Sequence, residues 1–261
     1  MRQYADIKWL LRQYARQIFG IVASIALVIV LVAAILLNSN TAVTTVDAPV
    51  ADVASLDVRI ASAADDVGTG LAGEVTIAVR VAASSDDAEE NVRGHSEFSS
   101  GDLEMVQASM DQIVGLRFVG VEVPSGATIT GAHLQFQADE TNNVATTLLL
   151  HGQAADNPAP FANSDFNVSL RARTTASRSW SPPAWRLKGE SGARQRTDDI
   201  SGVIQEIVDR GGWSSSNAIV IIITGTGKRV ADSYDGNQAG APILTIAYIP
   251  RSRTSDGSDP P

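Results

Sequence analysis

Between residues 115 and 140 the chain reads GLRFVGVEVPSGATITGAHLQFQADE, two strand-like runs on either side of a Pro-Ser-Gly turn at 124–126. Leu116, Phe118, Val121 and Val123 are the apolar positions of the first run. In the second, Thr130, Ala132, Leu134, Phe136 and Ala138 alternate with Gly131, His133, Gln135 and Gln137. A period of two sends successive side chains to opposite faces of a sheet. Leu134 and Phe136 are therefore expected to be buried, with His133, Gln135 and Gln137 on the other face. Proline sets φ and glycine tolerates positive φ, so the turn is a hairpin or an arch of an antiparallel sheet.

Further strand signals follow at 75–82, 102–108, 112–118, 144–154, 217–224 and 242–248, each bounded by Gly, Pro, Asn or Ser. Short runs of this kind predict an all-β fold, an antiparallel β-sandwich of jelly-roll-like layout. Residues 219–223, IVIII, are continuously apolar and predict a central strand buried on both faces. One helix interrupts the pattern over 197–213, with Ile200, Val203, Ile204, Ile207 and Val208 on one face. Asp198 and Asp199 stand at its N-cap and Gly211 and Gly212 at its end. A turn at Thr141, Asn142 and Asn143 would pair residue 140 with 144 and set His133 opposite His151. Such a pair binds zinc, senses pH, or simply faces solvent.

The amino-terminal pattern is different. Residues 18–37 form an uncharged apolar run, about 30 Å long as a helix and so matched to a bilayer core. Arg2, Lys8, Arg12 and Arg16 precede it against Asp6, whereas Asp47, Asp52 and Asp57 follow it. The positive-inside rule then predicts a cytoplasmic segment (1–17), a signal-anchor transmembrane helix (18–37) and an extracytoplasmic remainder. A cleaved signal peptide is the alternative, but its apolar core is usually shorter and the sequence after Ser39 suits cleavage poorly. Residues 38–74 read as an extended linker with a possible duplicated strand, since 57–67 resembles 78–88. The sandwich module occupies 75–250 and a disordered tail 251–261.

Composition narrows the chemistry. The 261 residues include no cysteine, three histidines and 5% aromatics, so thiolate sites are excluded and acid–base groups are few. A net charge of −9 argues against nucleic acid as a partner. Asp86, Asp87, Glu89 and Glu90, with Asp102 and Glu104, form two acidic stretches read as loops. Together they offer the oxygen ligands of a structural calcium; neutralisation by Arg80 and Arg93 is the metal-free alternative. Trp185, Trp213 and Tyr234, with Arg229, are the candidate ligand-binding residues, the rings stacking on sugars and the polar groups taking hydroxyls, whereas Trp180 is expected to be buried. GTGK at 225–228 lacks the spacing of a phosphate-binding loop, and no hydrolase or zinc-protease motif occurs. Catalysis is not expected.

SSDDAEE (84–90), SSGDLEMV (99–106), GLRFVGVEVPSGATI (115–129), SWSPPAW (179–185), QRTDDISGVIQEIV (195–208) and TGTGKRVADSYDG (224–236) together carry a resemblance. They look like a β-sandwich module of secreted, multidomain bacterial surface proteins, similar to DNRLRE-type and carbohydrate-binding-module sandwiches. That resemblance implies a non-catalytic binding or adhesion module with polysaccharide as first ligand. A structural or assembly protein that binds envelope partners is the alternative, and a polysaccharide-processing enzyme a more distant one.

Overall fold

The computed structural model describes residues 73–251. The expected cytoplasmic segment (1–17) and membrane helix (18–37), with nearly all of the expected linker and tail, lie outside the described residues. So does the 57–67 half of the possible repeat.

The described chain is all-β with one helix. Its strands are β1 (Val75–Arg80), β2 (Asp87–Asn91), β3 (Ser96–Glu97), β4 (Asp102–Met105), β5 (Gln112–Phe118), β6 (Thr128–Gln135), β7 (Thr147–Gln153), β8 (Arg173–Trp180), β9 (Ile219–Thr226), β10 (Arg229–Asp232) and β11 (Ile243–Ile249). They form a three-stranded sheet β1-β11-β6, a six-stranded sheet β3-β2-β5-β9-β7-β8 and a ribbon β10-β4. Every strand pairing described is antiparallel. Inward residues of the small sheet (Ala132, Leu134, Leu244, Ile246) share one core with those of the large sheet (Leu116, Phe118, Leu148, Leu150, Ile221, Ile223). This is the layering of a β-sandwich.

The segment at 115–140 is an arch, because β5 lies in the large sheet and β6 in the small one. Its corner is pinned from two directions. The Trp213 indole donates to the Val123 carbonyl at 3.0 Å, and the Tyr248 hydroxyl to that of Glu122 at 3.1 Å. Gly126 takes φ 74°, the left-handed geometry the turn requires.

β6 and β7 do not pair with each other. β6 runs beside β11, placing His133 opposite Thr245. β7 lies between β8 and β9, placing His151 opposite Ile222 and Ser177. The expected facing histidines are therefore in different sheets. The intervening residues do not close a short turn because they are used elsewhere: Ala138 bridges Ala231, and Asn142 bridges Trp185.

The central strand β9 buries Ile219 to Ile223 completely. Ile219, Ile221 and Ile223 enter the main core, while Val220 and Ile222 join a second cluster with Ala88, Phe161 and Val168. That cluster is roofed by the chain between β7 and β8. A Cβ on Gly115 would lie 2.5 Å from the Phe161 ring, so this roof closes directly onto backbone.

The helix α1 (Ser201–Val208) is shorter than the expected 197–213, but it buries Val203, Ile204, Ile207 and Val208, with Ile200 buried just before it. It ends before Gly211 and Gly212, with Asp209 at its C-terminus. The residues before it are held as a strand-like edge. The Thr197 amide donates to the Leu134 carbonyl while its hydroxyl accepts the Leu134 amide, and Asp199 accepts the Ala132 and Ser201 amides instead of standing as the N-cap.

Candidate functional site

The acidic stretch at 84–90 is a short 3-10 turn (Ser84–Asp86) leading into strand β2, not a solvated loop. Asp86, Asp87, Glu89 and Glu90 are all buried. Each is satisfied by a separate partner. Asp86 pairs with the Arg117 guanidinium at 2.6 Å. Asp87 accepts the Tyr234 amide at 2.8 Å. Glu89 accepts the Glu104 amide and the Gln112 side chain. Glu90 accepts the amides of Val168 at 2.6 Å and Ser169, fastening the roof over the second core. Arg117 also donates to the Pro158 carbonyl. The neutralising arginine is thus Arg117 on β5; Arg80, one of the two expected, donates instead to the Ala241 carbonyl.

Burial leaves a mark on two of these groups. It pushes Asp87 up to about 7, with Asp235 and Asp86 adding to the shift. It pushes Glu89 up to about 8, with Glu104 and Asp102 as further repelling carboxylates. A proton is therefore part of how this corner tolerates its charge.

The six expected metal ligands do not converge. Glu89 and Glu104 do meet as a pair, but among the described residues the one group of three acidic side chains with oxygens mutually close is Asp102, Asp139 and Glu140, within 4.8 Å of one another. Only Asp102 belongs to the expected set. Asp232 lies across the ribbon from Asp102, and the Lys188 ammonium approaches Asp139 at 2.7 Å from the exposed side.

The expected aromatic platform is corrected by burial. Trp185 is 1% exposed, Trp213 4% and Arg229 2%, so none offers a surface to a ligand. Trp185 donates to the Arg194 carbonyl at 2.9 Å, and Trp180, buried as expected, stacks on Phe136. Tyr234 is half-buried against the same core. Proline-rich sequence holds these rings inward because the Arg229 guanidinium enters the fold and binds the loop's carbonyls.

A different surface is concave. The outward face of the small sheet forms an open trough of about 580 Å³. Its floor follows from the register, in which Thr76, Ala247 and Gly131 make one cross-strand row and Ala78, Thr245 and His133 the next. Small side chains across three strands leave the hollow. One wall is the 196–199 segment, stitched to β6 through Thr197 and Asp199. It presents Arg196 and Asp198, both exposed. Burial, reinforced by Arg196, lowers the His133 pKa, so the imidazole is neutral at neutral pH and serves as both donor and acceptor. The alternation at 130–138 had already placed His133 outward; nothing local pointed to Arg196 and Asp198, which lie more than sixty residues away in sequence.

No family model matches the chain, and no curated protein matches it.

Proposed function

We propose that this protein is a membrane-anchored, extracytoplasmic binding module, non-catalytic, whose jelly-roll-like sandwich takes polysaccharide in the trough on the small sheet. The trough itself carries the reading: it is open-sided, floored mostly by small residues and walled by a segment that presents the exposed Arg196 and Asp198. An extended polar polymer fits that description better than a compact apolar ligand, which would need an enclosed cavity. The likeness to carbohydrate-binding sandwiches supports the same class. Among the described residues no Trp, Tyr or Phe lines the trough, so binding rests on hydrogen bonds instead of stacking on large rings. The anchor is supported by the uncharged run at 18–37 and its flanking charges.

The test is a glycan array probed with the full chain in detergent micelles, beside Gly131→Val. A Cβ at Gly131 meets nothing within 4 Å, and valine suits a strand, so the variant raises a branched side chain from the trough floor where the backbone has room for it. Binding lost in the variant supports the trough; an array silent for both proteins rejects the reading.

One observation favours an envelope protein as a partner instead. Val92, Phe166 and Leu170 are exposed apolar side chains around the roof of the second core. Phe166 holds φ 60°, an uncommon conformation for a bulky residue. A photocrosslinker at Leu170 that captures no protein in intact cells would remove this second reading.

Calcium stays within the proposal in altered form. Asp102, Asp139 and Glu140 would supply its oxygens, in competition with the Lys188 ammonium already beside Asp139.

A further inference from the structure

The trough's charges say which polysaccharide it suits. Resting on the reading that the trough holds a glycan, we propose that the glycan is uncharged, its neighbouring hydroxyls shared between the Arg196 guanidinium and the Asp198 carboxylate.

The ionisable groups lining the trough are His133, Arg196, Asp198 and Asp199. Asp199 is already committed to the Ala132 and Ser201 amides, so it acts as part of the wall. Arg196 and Asp198 are exposed, and among the described residues neither side chain has a hydrogen-bond or ion-pair partner. With a neutral His133 the lining carries one positive and two negative charges. The whole chain carries −9.

A polyuronate or sulfated chain brings a negative charge with each repeat. It would meet one guanidinium and two carboxylates in the trough, within a field that is negative overall. A polyamine would gain from the carboxylates but would have to place ammonium groups beside Arg196. An uncharged glycan avoids both conflicts. A vicinal diol accepts two N–H bonds from a guanidinium through its oxygens and donates two O–H bonds to a carboxylate. The neutral imidazole of His133 adds one further donor or acceptor on the floor. Since these bonds join charged protein groups to uncharged hydroxyls, their strength depends only weakly on salt.

The experiment is affinity gel electrophoresis of the full chain in detergent micelles. The gels contain a neutral β-glucan, a neutral mannan, polygalacturonate, dextran sulfate or chitosan. The expected result is retardation by at least one neutral polymer, little changed between 50 and 500 mM salt. Arg196→Ala and Asp198→Ala should each weaken it by about tenfold or more, since each removes a pair of charge-assisted hydrogen bonds. Gly131→Val should abolish it, with melting curves confirming that each variant is folded. Retardation only by polygalacturonate or dextran sulfate, lost with salt and with Arg196→Ala, would overturn the neutral-ligand inference and leave the glycan reading standing. Retardation only by chitosan, lost in Asp198→Ala, would do the same. Neutral-glycan binding indifferent to Gly131→Val would place the ligand elsewhere and overturn the inference. Retardation by no polymer would sink the glycan reading itself.

Discussion

The guanidinium of Arg229 donates to the carbonyl of Pro182 at 2.9 Å, reaching across 47 residues of chain to hold the loop after β8. The same side chain binds the carbonyls of Pro183, Val144 and Lys228 and the Thr146 hydroxyl. Every one of these acceptors is uncharged. Arg229 thus fastens the SWSPPAW loop, whose last residue is the buried Trp185, and the residue expected to meet a ligand is a strut of the fold.

Loss of that strut should appear as lost stability. Arg229→Ala takes the donor from the buried Pro182 carbonyl and from the part-buried carbonyl of Pro183, a change worth about 1–3 kcal/mol for each group that cannot find water. Arg229→Lys should recover little, because an ammonium lacks the planar fork that reaches both Pro182 and Pro183. Thermal melting decides this. A variant that melts with the parent and yet loses ligand would return Arg229 to the binding surface.

The buried carboxylates predict a dependence on pH. Asp87 and Glu89 have folded-state pKa values raised above their unfolded values, to about 7 and about 8. The native state therefore holds protons that the unfolded chain has released, and this stability is complete below the unfolded values near 4. It is lost as pH rises through 7 and 8. His133 and His151, lowered by burial, act in the opposite direction but mainly below pH 6.5. Between pH 6.5 and 9 the melting temperature should fall by several degrees, roughly 2–4 °C per kcal/mol for a domain of this size. Asp87→Asn and Glu89→Gln should each flatten the slope. A flat profile in the parent would show that both groups ionise freely.

A cation at Asp102, Asp139 and Glu140 would stabilise the native state alone, by about 2.7 kcal/mol at a hundredfold excess over Kd. Calcium should raise the melting temperature of the full chain and EGTA lower it. Asp139→Asn should blunt the response, whereas Asp87→Asn should not, since Asp87 is outside that group of three and its carboxylate is taken by the Tyr234 amide. Magnesium should substitute poorly because it gives up water reluctantly. Melting indifferent to both calcium and EGTA would leave Lys188 as the cluster's counter-charge.

Strand content was legible where burial is written in the local pattern. The alternation at 130–136 marked β6, the unbroken run at 219–223 marked a central strand, and the spacing of Ile200, Val203, Ile204 and Ile207 marked the buried face of α1. These signals are local because the period of a helix or strand fixes which neighbours share a face. β2 was missed for the converse reason. Asp87 to Asn91 reads as polar, and its carboxylates enter the interior only because the fold brings partners such as Tyr234, Glu104 and Val168 to them.

What the sequence by itself determined, then, is the class of fold, the strands with an apolar period and the inward face of the helix. The partners were decided only in three dimensions. His133 and His151 fell into different sheets because residues 138–142 pair with Ala231 and Trp185 instead of closing a turn. Trp185 and Trp213 turned inward because backbone carbonyls of distant segments, at Arg194 and Val123, receive their indole protons. The trough needed three strands and a wall drawn from four stretches of chain. Hydrophobic periodicity reports whether a side chain is buried, whereas a hydrogen bond or a concave surface depends on which distant groups the folded backbone sets beside it.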